Sequence, residues 1–322
     1  MTARKRLGHT TFELSPLGLG CWQFSNGKGL IGSYWKELGR DAVAAIVAAS
    51  LAGGINWFDT AEAYGKGASE QMLAGALKDL APTGPRLYIA DKWWPTLRSA
   101  SSIRTTIDER LARLTPMGID LYQIHNSFSL STTRAQMDAM AGLVAAGKIR
   151  AVGVSNFSAR RMRAAARALA RHGIALASNQ VRYSLLDRRI ERNGVLDAAR
   201  ELGVSIIAYS PLAQGLLSGR YHADPEAVRR LTGPRRMLPA FHRRGLVKTR
   251  PLIDGLSTIA SAHGATAAQV ALAWTVQFHR ESIFAIPGAT SAVQARDNAA
   301  SMELELSADE LSHLDRLARA IL

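Results

Sequence analysis

The chain has 322 residues, 47% of them hydrophobic, so it can bury a large core, and one barrel-sized domain spanning residues 1–322 accounts for that length. Its formal charge of +14 comes from 32 arginines and 8 lysines against 26 acids, but the arginines are scattered; the densest group, Arg160, Arg161, Arg163, Arg167 and Arg171, has helical spacing and no interleaved aromatics, which favours a solvated helix face and argues against a nucleic-acid partner. The lone Cys21 excludes an internal disulfide, no run approaches the roughly 18 apolar residues of a membrane span, and the basic N-terminus has no apolar stretch behind it, so a cytoplasmic protein with no membrane partner is expected.

In chain order, Gly8-His9-Thr10-Thr11 between Leu7 and Phe12-Glu13-Leu14 predicts a hairpin that closes the bottom of the fold. Short runs rich in Val, Ile, Leu and aromatics then recur near residues 17–21, 55–59, 87–91, 119–124, 149–154, 176–181, 204–208 and 283–286. Segments of helical period separate them. Ile103, Ile107, Leu111 and Leu114 make one apolar stripe, Gly53-Gly54 ends the first helix, and Thr266 with Gln269 and Ser307 with Glu310 have capping-box spacing. Alternating strands and helices imply parallel pairing, and eight strands are the count of an α/β barrel. Two segments break the alternation: Ser25 to Gly39, with four glycines and the bulky Tyr34 and Trp35, and Pro211 to about Thr249, read as a long functional loop.

Four polar side chains stand where successive strands end. Asp59 and Tyr64 lie in Ile55-Asn56-Trp57-Phe58-Asp59-Thr60-Ala61-Glu62-Ala63-Tyr64-Gly65, Lys92 closes Leu87-Tyr88-Ile89-Ala90-Asp91-Lys92, and His125 closes Ile119-Asp120-Leu121-Tyr122-Gln123-Ile124-His125. Taken singly, each has a structural explanation: a helix cap, a loop aromatic, a strand-end charge, a buried histidine. Together they suggest a tyrosine whose pKa is lowered by a lysine, an aspartate that keeps the lysine charged, and a histidine that orients a carbonyl.

In this order the set resembles the aldo-keto reductases, bacterial and plastid-type members especially, and the resemblance runs over essentially the whole chain. It implies a (β/α)8 TIM barrel, a small carbonyl substrate, and NADPH as cofactor with NADH kept open. Within it, Gly153-Val154-Ser155-Asn156 and Ser178-Asn179-Gln180 match the segments whose Ser155, Asn156 and Gln180 would hold the nicotinamide carboxamide. Tyr209 would stack on the ring. The run Tyr209-Ser210-Pro211-Leu212-Ala213-Gln214-Gly215 would clamp the cofactor, and Gly288, Thr290, Gln294 and Asn298 fall in the adenosine and 2′-phosphate site. There the chain departs from a common pattern: Gly288 stands where a lysine is frequent and Gln294 where an arginine is, so Arg296, or Arg235 and Arg236 of the long loop, is expected to supply the missing cation. Trp22, Trp93 and Asn126 are assigned to the substrate pocket, and alternation turns Asp91 away from it. No His-x-His or carboxylate cluster at the strand ends points to a metal. The alternative is a cofactor-sensing regulatory protein like the barrel-shaped β-subunits of potassium channels, which resemble this chain in the same four residues.

Overall fold

Thr10 makes the N-terminal turn. Its hydroxyl donates to the Leu7 carbonyl (2.7 Å) and accepts from the Phe12 N–H (3.1 Å), which brings β1 (Lys5–Arg6) antiparallel to β2 (Glu13–Leu14). The computed structural model describes residues 4–27, 34–80, 84, 86–224, 226–231, 237–279 and 283–322. After the hairpin come β3 (Leu19–Gly20), β4 (Trp57–Asp59), β5 (Tyr88–Trp93), β6 (Leu121–Ile124), β7 (Ala151–Ser155), β8 (Leu176–Arg182), β9 (Ser205–Tyr209) and β10 (Ile283–Ile286), each parallel to the next. Parallel bridges from Leu17 to Ala285 and from Gly20 to Gly288 join the last strand to the first. The result is a (β/α)8 TIM barrel, with each strand on one of the eight apolar runs.

Two cores follow from the alternation of side chains across a closed sheet. Inside the barrel, Trp57, Tyr88, Leu121, Ile207 and Phe284 pack with Leu7, Phe12 and Leu14 of the hairpin, which plugs the lower end. Outside, the strands' other faces pack against the helices. The main helices are α1 (Arg40–Ala52), α2 (Ala68–Leu80), α3 (Ser101–Leu114), α4 (Thr133–Ala145), α5 (Ala159–Ala170), α6 (Val195–Leu202), α7 (Arg243–Ala262), α8 (Ala267–Gln277), α9 (Ala292–Ala300) and α10 (Ala308–Ile321). On α3, Ile103, Ile107 and Leu114 are buried and Leu111 is partly so. Both capping boxes form, at α8 and α10, and Gly53 caps α1 with Gly54 left-handed behind it (φ 87°).

The described residues between Pro211 and Thr249 hold more regular structure than their composition suggests. They form single helical turns at Ala213–Ser218, Arg220–Ala223, Glu226–Arg229 and Pro239–Phe241, and α7 already begins at Arg243. Leu216, Tyr221, Ala227, Leu231 and Phe241 give these turns a small core of their own. Pro251 lies inside α7 without ending it. Among the described residues no helix is long and apolar enough to cross a membrane.

Candidate active site

Strand alternation brings the four sequence-predicted residues together at the C-terminal rim of the barrel. Lys92 is fully buried at the end of β5, where its ammonium pairs with the Asp59 carboxylate from β4 and donates to the Thr60 carbonyl (2.8 Å) and the Tyr64 hydroxyl (3.4 Å). The second oxygen of Asp59 accepts from Gln180 (2.7 Å) and Gln123 (3.2 Å). Both carboxylate oxygens thus have hydrogen-bond partners, as a carboxylate this buried requires. Tyr64 and His125 meet edge to face with ring centroids 5.6 Å apart, and both keep part of their surface open.

Burial dominates the electrostatics. It pushes the Tyr64 phenol up to about 12, although Lys92 pulls the other way, so the expectation of a lowered tyrosine pKa is corrected: the cation moderates a rise that desolvation sets. For Lys92 burial opposes the charge, but Asp59 and Tyr64 outweigh it and raise the pKa. His125 goes well below its ordinary value, through burial first and the nearby Lys92 second. At neutral pH the site therefore presents a protonated phenol, an ammonium and a neutral imidazole.

Asp59, Tyr64 and His125 line a cavity of about 1120 Å³, with Lys92 buried behind them. Around Tyr64 and His125 the wall is aromatic. Trp22 lies 4.9 Å from Tyr34 and 6.2 Å from Tyr64, and Trp94 meets His125 at 5.0 Å. Asn126 is on the wall, its amide reaching Thr96 (3.4 Å) and its carbonyl accepting from the Phe128 N–H (2.8 Å). Trp93 is not on the wall: the alternation that turns Asp91 outward turns Trp93 outward with it, and its buried ring donates to Ser102 of α3 (3.1 Å). Trp94 takes the place assigned to Trp93. Strand periodicity applied beyond Asp91 would have found it, and would also have found Gln123, in register with Lys92 on β6. Glycine is needed at 153 because a Cβ there would collide with Ser178 and crowd Gln123.

Along the rest of the cavity lie the residues assigned to the cofactor. Asn156, left-handed at φ 59°, donates to Ser155 (3.0 Å) and accepts from the Tyr209 hydroxyl (3.1 Å). Gln180 faces the cavity while its amide nitrogen serves Asp59. Ser210, Pro211, Leu212, Gln214 and Gly215 form one edge, with Ser210, Ala213, Gln214 and Gly215 all at positive φ, and the Tyr34 hydroxyl bonds Gln214 (2.7 Å). At the far end Thr290 gives both its N–H (2.8 Å) and its hydroxyl (3.0 Å) to Gln294, and Asn298 donates to the Gly288 carbonyl (3.3 Å). A Cβ at Gly288 would collide with the amide of Gln23, whose buried Oε1 has no hydrogen-bond partner. Arg235 and Arg236 lie outside the described residues, and Arg296 is not on the cavity wall. Among the described residues the cations that line it are Lys36, Arg182, Arg220 and Arg230. The three arginines escaped sequence reading because nothing in their local pattern distinguishes them among 32.

The aldo/keto reductase family profile matches residues 16–319, the whole barrel and the helices around it. The chain belongs to the aldo/keto reductase family. An uncharacterized oxidoreductase of Mycobacterium tuberculosis is 37% identical over 308 residues, covering 96% of this chain and 90% of that protein. Among solved structures, the glycerol dehydrogenase of Gluconobacter oxydans superposes with a TM-score of 0.81 at 26% identity, covering 98% and 94% of the two chains. An aldo-keto reductase of Klebsiella pneumoniae, crystallised with NADPH, gives a TM-score of 0.73 at 26% identity, covering 98% and 95%. The aldo-keto reductase described here is accordingly an oxidoreductase of the barrel type. Its cavity has the size, the open polar groups and the flanking cations that an anionic dinucleotide needs, including the unpaired Gln23 oxygen, which a hydroxyl or amide of such a ligand can satisfy.

Proposed function

We propose that this protein reduces a small aldehyde or ketone with NADPH and that Tyr64 delivers the proton. The observation that carries this reading is the Lys92 ammonium held between Asp59 and Tyr64, with Tyr64 edge to face with His125 on the cavity wall. Bound NADPH would supply the hydride. Ser155, Asn156 and Gln180 would hold its carboxamide, with Tyr209 against the ring. The phenol, protonated at neutral pH, meets the negative charge that grows on the carbonyl oxygen. Lys92 stabilises the phenolate left behind, and Asp59 balances the buried cation. The neutral His125 offers an N–H to the same carbonyl oxygen without adding a second positive charge. Trp22, Trp94 and Asn126 form the walls against which the substrate's carbon side would lie.

Tyr64→Phe tests the proposal. It should keep NADPH binding, read as quenching of tryptophan fluorescence, and lose turnover of a simple aldehyde by about 10²-fold or more, the scale of general acid catalysis. Near-normal NADPH oxidation by Tyr64→Phe would remove Tyr64 from the donor role.

A further inference from the structure

Between Asp59 and Tyr64 stands Glu62, only 7% exposed and not on the cavity wall. Its two carboxylate oxygens accept from three donors on two other segments. Oε1 takes the Trp94 N–H and Arg98 (2.5 Å), and Oε2 takes Arg110 of α3 (2.9 Å). The Glu62 N–H donates to the Lys92 carbonyl (3.3 Å). Arg110 continues to Glu70 on α2 (3.2 Å), and Arg113 spans from Glu70 (3.3 Å) to the Lys66 carbonyl (2.7 Å). Charged contacts therefore hold the donor's loop on both sides of Tyr64. At its far end Gly65, Lys66 and Gly67 all have positive φ, and a Cβ on Gly67 would strike Arg113.

We propose that Glu62 is the positioning residue of the proton donor, a clamp that fixes the Tyr64 loop against the loop carrying Trp94; this rests on the reading of Tyr64 as donor. A buried ion network adds little net stability compared with apolar packing, because each charge gives up its hydration. Its value here is geometric. The Tyr64 hydroxyl sits 3.4 Å from Lys92, at the long edge of a hydrogen bond, so a small drift of the loop would uncouple phenol and ammonium. The same carboxylate holds the backbone of Trp94, whose ring meets His125 at 5.0 Å, so one group sets donor, orienting imidazole and substrate wall relative to one another.

The test compares Glu62→Ala, Glu62→Gln and Arg98→Ala with the unmodified protein, using benzaldehyde and NADPH. Expected for Glu62→Ala are an unchanged NADPH Kd by tryptophan fluorescence and a kcat lower by about 10²-fold, the penalty of a misplacement near 1 Å. The basic limb of its kcat–pH profile should move to higher pH, because the phenol loses the Lys92 cation. Glu62→Gln keeps an acceptor for the Trp94 N–H and should recover most of the rate. Arg98→Ala removes one donor from a partly exposed position and should give a smaller loss with the same direction of pH shift, which keeps the test alive if Glu62→Ala does not fold. Glu62→Ala and Arg98→Ala proteins that match the unmodified enzyme in kcat and pH profile would overturn the clamp, as would a loss confined to NADPH binding. Full activity of Tyr64→Phe would instead overturn the donor assignment, and the clamp with it.

Discussion

The four polar side chains at the strand ends are legible in the sequence because barrel geometry does the rest: a residue at the C-terminal end of an inward-facing register must point at the rim. What surrounds them is less legible. Glu62 is visible as a residue between Asp59 and Tyr64, but Arg98 and Arg110, its partners, lie 36 and 48 positions away. Nor does local sequence report that Tyr64 loses enough water for burial to overrule Lys92. That balance yields a prediction for Lys92→Met. Lys92 is a lowering influence on Tyr64, so its removal should raise the phenol further. Residual carbonyl reduction should fall by orders of magnitude, and whatever decline it shows at alkaline pH should begin at higher pH than in the parent. An unchanged profile would mean that Lys92 does not tune the donor.

At the scale of elements, the eight strands and both capping boxes are readable because each depends on neighbours close in sequence. The turns between Pro211 and Thr249 are not, since their apolar residues find one another only after the chain has folded back. Strand β5 shows what its outer face costs. Asp91 is fully buried there beside Glu70 of α2, Arg110 of α3 and Tyr122 of β6, with Glu62 nearby. Burial and then the Glu70 carboxylate push Asp91 well above the usual carboxylate range, so the folded protein keeps a proton that the unfolded chain releases. A pKa raised on folding means that stability falls as pH rises from the unfolded value towards the folded one. Asp91→Asn, neutral throughout, should remove that slope. Its Tm should exceed the parent's at about pH 8 by more than it does at about pH 4, the unfolded carboxylate range. A Tm difference independent of pH between these limits would show that Asp91 is ionised in the folded state.

For the whole molecule the open question is how a chain with +14 formal charge directs that charge at one ligand. The far end of the cavity does not supply the cations often found there: Gln23 fills the space above Gly288, and the Gln294 carbonyl is already bonded to Thr290. The arginines that line the cavity come from elsewhere. Arg220 and Arg230 stand on the short turns after the clamp, with Arg230 paired to Asp224 and Arg220 exposed. If one of them reaches the 2′-phosphate, a charge-assisted bond of about 1.5 to 3 kcal/mol gives NADPH a preference of roughly ten- to a hundredfold over NADH. If they reach only the pyrophosphate, which both nucleotides share, they tighten both equally. We expect the first outcome: NADPH binding tighter by at least about tenfold, with replacement of Arg220 and Arg230 by alanine weakening NADPH more than NADH and closing most of the gap. Titrating both nucleotides against tryptophan fluorescence in the two proteins separates the cases. Equal dissociation constants in the unmodified enzyme would show that no arginine substitutes for the absent cations and would make the protein a reductase indifferent to the 2′-phosphate.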